Sequence, residues 1–283
     1  MDDAQLHSEI DALRGRLNIK TPTGKPPSAE HWRGVLKDIS PTQFYQRFAR
    51  IAGDNGRVVI DLDLNNSFGI TIKVYPPNVG ENLDAVSPQL KFNFVRSKTN
   101  SVEFRRADVA LDMQDKGIGV PYARESIAFL KELGIERIKI NTQEVGGYAW
   151  ARYGFSPYSE REWESLKRSV GKRYHPEENR ISFYKEYIED EAPLSFKITE
   201  GDKQAIDAWL ALPFEQLEEN FDKVCSLNRV VGTYRGHVMT VGKILLHGHK
   251  WDGVLSLNDD SPGYKKFQDY CAGREQSRGM GAG

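Results

Sequence analysis

The sequence predicts a mixed α+β or α/β fold on three observations. Apolar residues alternate with polar ones through Val58, Ile60, Leu62 and Leu64, and again through Ile70, Ile72 and Val74. That is the pattern of a hairpin of half-buried strands. Two further strand candidates follow at 92–95 and 102–113, separated by the turn-like SKTN. The period then becomes helical over 121–133, extended over 137–141, and helical again through Tyr148 and Trp150 to Gly154. Strands first, then strand, helix, strand, helix, are the order of a sheet with helices packed on it.

Taken from the N-terminus, Leu6, Ile10, Leu13 and Leu17 lie on one helical face, and TPTGKPP at 21–27 is rich in turn formers. Residues 1–27 read as an arm and linker. Ser28 is a candidate helix N-cap, and Ser40-Pro41 opens a second helix with proline at its first position, where the missing N–H costs little. Phe44, Phe48 and Ile51 would face inward on it, and Gly53 would stop it. Gly134 closes the 121–133 helix from the C′ position. The charged stretch WESLKRSVGKRYHPEENR reads as a solvated helix and loop, with a basic docking surface as the alternative. A strand at 181–188 precedes the EDEAP break. Beyond it lie a helix started by Thr199 and Asp202, two or three strands within 229–257, and a flexible tail from 273. The expected organisation is therefore an arm (1–27), a main domain (28–192), a C-terminal α+β accessory region (193–272) and the tail.

Charge and composition exclude several functions. The 283 residues include 39 basic and 40 acidic side chains, a net of −1, so the surface is not built for nucleic acid or anionic lipid. With 39% hydrophobic residues a large core is affordable to the chain, while no run reaches the ~18 apolar residues of a membrane span. The acidic start MDDAQLHSEI is unlike a signal peptide, and two cysteines are too few for a disulfide scaffold. These features point to the cytoplasm.

The stretch 107–120 carries the chemistry. A strand runs into Gln114-Asp-Lys-Gly117-Ile-Gly119, and a helix follows at once. Glycine-freed N–H groups and a helix N-terminus then point at one spot, which suits a pyrophosphate. Here the sequence resembles the GNAT (GCN5-related N-acetyltransferase) superfamily, whose Q/R-x-x-G-x-G/A loop binds the pyrophosphate of acetyl-CoA. The similarity covers about residues 57–157 and extends to a later helix closing in Tyr153-Gly154-Phe155. The segment GGYAWARYGF also resembles segments of bacteriophage-encoded GNAT-like proteins. The resemblance implies a mostly antiparallel sheet flanked by helices, with acetyl-CoA as co-substrate and no metal. It also implies a coenzyme site at Leu111, Met113, Gln114, Gly117, Ile118, Gly119 and Val120.

The departures from the family pattern concern catalysis. Counting back from Gly154, Trp150 stands where the family's general-acid Tyr stands, Gly146 where an Ala stands, and Gln143 where an Asn stands. An indole N–H can donate a hydrogen bond but not a proton, so Trp150 could only steady the departing thiolate. Tyr148 and Tyr153 are the nearby alternatives, although they lie on other helix faces. Gly146-Gly147 would be an irregular lead-in to this helix. Pro121 removes one N–H donor, while Gly117, Ile118, Gly119 and Val120 keep theirs. Asp108 and Asp112, four residues apart on one strand face, are candidate bases or part of a solvated face. Glu103 and Glu144 are weaker candidates.

Two other motifs are set aside. Residues 236–244 miss the phosphate-loop spacing by one, with Ile244 in place of the required Ser or Thr. His247 and His249, with His237 nearby, could ligate a metal, but no carboxylate or cysteine cluster accompanies them, so they read as core or surface histidines. The leading expectation is an acyl-CoA-dependent N-acyltransferase acting on a small-molecule or protein amine. The rival is a degenerate GNAT fold kept as a structural component, for example of a phage particle, with a protein assembly partner on the C-terminal region and a virion location.

Overall fold

A computed structural model of the chain describes residues 1–53, 56–65, 68–77, 86–96, 100–109, 119–142, 146–183, 194–234 and 237–279. The chain forms two compact units, residues 1–138 with 273–283, and residues 139–272. The fold is mixed α+β, with mostly antiparallel strands flanked by helices, as the sequence predicts.

In the first unit, α1 (Asp3–Ala12) leads through a turn at Gly15, φ +75°, into β1 (Leu17–Lys20). Leu17, expected on a helix with Leu6, thus begins a strand, because the chain has turned out of the helix before it. The stretch expected as an arm carries a strand that pairs in parallel with β2 (Arg57–Asp63). A parallel pairing needs a long crossover, which α2 (Ala29–Leu36) and α3 (Pro41–Ala52) supply. Ser28 caps α2, and Ser40 with Gln43 forms a capping box ahead of Pro41. β3 (Gly69–Tyr75), β4 (Leu90–Arg96) and β5 (Ser101–Val109) then add in antiparallel order.

The strand registers place Arg57 opposite Tyr75, Val74 opposite Leu90, and Leu90 opposite Val109. The end of β5 and the start of β2 therefore share one end of the sheet. α4 (Gly119–Glu132) follows β5 and closes at Gly134, φ +81°, whose N–H donates to the Lys131 carbonyl. Phe44 and Phe48 of α3 meet Phe129 of α4 at 5.1 and 6.3 Å, all three buried. Ile51 is only half-buried. Aromatic burial of ~150–250 Å² each is worth about 4–6 kcal/mol before chain entropy is counted.

The division falls within β6 (Arg137–Asn141), and the second unit continues with α5 (Gly146–Arg152), β7 (Ser156–Pro157) and α6 (Glu160–Gly171). β8 (Tyr174–His175), β9 (Arg180–Phe183) and β10 (Leu194–Lys197) form a small antiparallel sheet, followed by α7 (Glu200–Leu210) and α8 (Leu217–Asn220). β11 (Val230–Tyr234) pairs with β12 (His237–Thr240), and α9 (Val241–Leu246), β13 (Asp252–Ser256) and α10 (Pro262–Gly279) complete the chain. β13 lies between β6 and β7. The core is aromatic: Trp163 meets Trp209 at 5.0 Å, and Phe221 meets Trp251 at 5.0 Å. The indole N–H groups of Trp163 and Trp209 donate to the carbonyls of Leu212 and Phe221.

Three expectations change here. The stretch starting WESLKRSV is a helix as expected, α6, solvated on one face through Arg161, Ser165 and Arg168, but Trp163, Leu166 and Val170 recur on its other face and are fully buried. Residues 241–246, expected as strand, form α9, because the Thr240 hydroxyl accepts the Lys243 N–H as an N-cap. The expected tail is helical in α10 as far as Gly279.

Candidate functional site

The expected site falls into parts that belong to different units. In the first, β5 delivers the chain to residues 110–118, and α4 begins at Gly119. Gly119 and Val120 are the first two helical residues, and Val120 is buried. The first N–H groups of a helix have no intrahelical acceptor, and Pro121 contributes none, so those of Gly119, Val120 and Tyr122 make up the donor set of this turn. Leu111, Asp112, Met113, Gln114, Gly117 and Ile118 lie outside the described residues, as do Gln143 and Glu144. Asp108 lies on β5 with Lys91 as its cross-strand neighbour. Glu103 pairs with Arg105 on the exposed surface at 3.2 Å, which suits a solvated role better than a base.

The three candidate donors lie together in the second unit. Gly146 and Gly147 are the first residues of α5 rather than an irregular lead-in. The reason is steric: a Cβ on Gly147 would stand 2.8 Å from the Leu246 carbonyl oxygen and 3.0 Å from the Trp251 indole nitrogen. Gly154, φ +81°, ends this segment where a side chain would collide with the backbone of Gly263. Trp150 is 9% exposed and stacks edge-on against Phe155 at 5.1 Å and Tyr153 at 5.6 Å. Tyr153 in turn packs on Phe267 and Tyr270. The Tyr148 hydroxyl donates to the Cys225 carbonyl at 3.5 Å, and the Arg152 guanidinium lies over the Tyr148 ring at 5.7 Å.

Burial raises the Tyr148 phenol above its ordinary value, so it keeps its proton across neutral pH. Burial also pushes the Cys225 thiol up to about 12, which leaves it a poor nucleophile. Sequence reasoning missed Cys225, Arg152 and Tyr270 as neighbours of these tyrosines. Cys225 and Tyr270 come from distant segments, whereas Arg152 follows Tyr148 by one helical turn, a spacing that was available in the sequence.

His247 and His249 are both buried, in keeping with the core reading. His249 Nδ1 lies 2.6 Å from the Ser169 hydroxyl, and burial depresses its pKa to about 3, so the imidazole is neutral. Among the described residues no group of three His, Cys, Asp or Glu is placed to hold a metal, and no helix is long and apolar enough to cross a membrane.

No family model matches the chain, and no curated protein matches it. Among solved structures, nourseothricin acetyltransferase is similar at 16% identity over 32% of this chain and 52% of its own, with a TM-score of 0.27. A GNAT-family acetyltransferase from Staphylococcus aureus Mu50 is similar at 16% identity over 33% and 56%, with a TM-score of 0.28. One from Elizabethkingia anophelis with acetyl-CoA bound is similar at 16% over 48% and 73%, with a TM-score of 0.27. The chain spans little more than half the length of the first two. Likenesses of this size establish neither a family nor an activity for it.

Proposed function

We propose that the protein is an acyl-CoA-dependent N-acyltransferase that moves an acetyl or similar acyl group to an amine. The observation that carries this reading is the succession of β5, a connection containing Gln114 and Gly117, and a helix opening at Gly119. A glycine-containing connection into a helix N-terminus is the kind of segment whose backbone N–H groups a pyrophosphate can approach. The N–H groups of Gly119, Val120 and Tyr122 and the positive end of α4 suit an anion such as a pyrophosphate, and Gly117 and Ile118 would add two further donors. When bound, the coenzyme supplies an activated thioester and a thiolate leaving group. The chain would hold it at Leu111, Met113 and residues 114–120. Asp108, Asp112 or a water would take the amine proton, and Trp150, Tyr148 or Tyr153 would donate to the departing sulfur.

Incubating the full chain with acetyl-CoA and a panel of small amines and peptides, with mass spectrometry for a 42-Da gain (the acetyl mass, about three CH₂ equivalents) and a thiol reagent for free coenzyme A, tests this. Amide product above the no-protein rate supports the reading. Product formation no faster than that control, with any amine, would leave the domain a scaffold.

A further inference from the structure

A cavity of ≈ 500 Å³ opens in the first unit, lined by Arg16, Tyr45, Ala49, Arg57, Val58 and Pro77 among others. That is the size range of small-molecule sites. Among the described residues that line it, the charged ones are Arg16 and Arg57. Arg14, Arg47, Arg105, Arg180 and Arg229 each pair with a carboxylate. Arg16 and Arg57 do not: among the described residues, neither guanidinium has an ion-pair or hydrogen-bond partner. Arg16 is exposed and Arg57 half-buried, so one charge sits at the rim and the other further in.

Tyr45 ties the two together. Its hydroxyl donates to the Val58 carbonyl at 3.3 Å, which leaves its oxygen able to accept a hydrogen bond. The Arg16 carbonyl accepts the Ile60 N–H at 2.8 Å, so Arg16 lies beside the start of β2 that carries Arg57, and both line the cavity with Tyr45. The carbonyl end of α3 opposes an anion here, but a helix terminus carries roughly half a charge against two full ones. A guanidinium offers a planar fork of donors that matches a carboxylate or a phosphate.

We propose that this cavity binds a small molecule through its carboxylate or phosphate, gripped by Arg16 and Arg57. The proposal stands on the cavity alone and is independent of the acyl-transfer reading. Arg57 lies at the sheet end shared with the end of β5.

The test is a titration of inorganic phosphate, and separately of succinate, into the full chain at constant low ionic strength. Backbone amide shifts of Gly56, Arg57 and Val58 are followed by NMR. Saturable shifts with a dissociation constant of about 1 mM or tighter are expected in the wild type. Arg57→Gln and Arg16→Gln should each weaken binding at least tenfold, and Arg57→Lys should fall between, since it keeps the charge and loses the fork. Arg16 is exposed, so its replacement keeps the fold, and the same spectra verify this. Tighter phosphate than succinate identifies a phosphate-bearing ligand, and the reverse a carboxylate. Equal affinity in the wild type and the Arg16→Gln/Arg57→Gln variant, or no saturation by either anion, overturns the proposal.

Discussion

Two side chains carry testable consequences on their own. His249 is neutral in the folded chain because burial depresses its pKa to about 3, whereas an unfolded His titrates near 6.5. Between those values the unfolded chain binds the extra proton, so stability falls as pH drops from about 6.5 toward 3, by at most ~1.4 kcal/mol per unit from this group. Replacing His249 with Gln should flatten the low-pH limb of a urea-denaturation series, and a limb of unchanged slope would show that other groups dominate it. Trp150 tests the chemical reading from another side. As a nearly buried aromatic against Phe155 and Tyr153, it should cost about 3–5 kcal/mol when cut to Ala. Trp150→Phe should cost far less, since it keeps the ring packing. Equal stability losses for Phe and Ala would mean that the indole N–H, not its packing, holds this position. The position of Trp150 was legible from the Gly154-Phe155 pair. Its contacts with Tyr153 and Phe155 are local, three and five residues away, but the cover that Phe267 and Tyr270 give Tyr153 comes from a distant segment and could not be read.

At the scale of elements, one substitution made at two glycines should have opposite signs. Gly34 lies in α2 with open space around its would-be Cβ, so Gly34→Ala should stabilise by about 0.5–1 kcal/mol through helix propensity. Gly147 lies in α5 against the Leu246 carbonyl, so Gly147→Ala should destabilise by ~1–3 kcal/mol despite the same propensity gain. Thermal melts of the two variants decide it, and a stabilised Gly147→Ala would show that α5 is not packed where described. Helix starts were readable where a cap preceded a recognisable helical pattern, as at Ser28, Ser40 and Thr199. α9 was misread because Val241, Ile244, Leu245 and Leu246 are as apolar as a strand, and Thr240 as its cap is visible only in hindsight. The mixed charges of α6 hid a buried stripe at Trp163, Leu166 and Val170, whose spacing was available but outnumbered.

For the whole molecule, the alternation of strands and the later strand, helix, strand, helix order were enough to foresee a mixed fold, and its mostly antiparallel sheet was what the family resemblance implied. The parallel β1 was not foreseen, since four residues with one buried Leu17 leave no period, and its pairing depends on a crossover of more than thirty residues. Nor could the cavity of Arg16, Tyr45 and Arg57 be read, because it gathers three residues from segments without a shared motif. The coenzyme reading is different in kind, since it rests on Gln114, Gly117 and Gly119, which are contiguous and legible. Calorimetric titration of acetyl-CoA into the full chain, with Gly117→Val/Gly119→Val alongside, tests it most directly. Saturable binding is expected in the wild type. The valine side chains should weaken it by at least ~2 kcal/mol, about thirtyfold, by blocking approach to the backbone N–H groups. The absence of binding at millimolar acetyl-CoA, or equal affinity in the wild type and the valine variant, would contradict a coenzyme site at the start of α4.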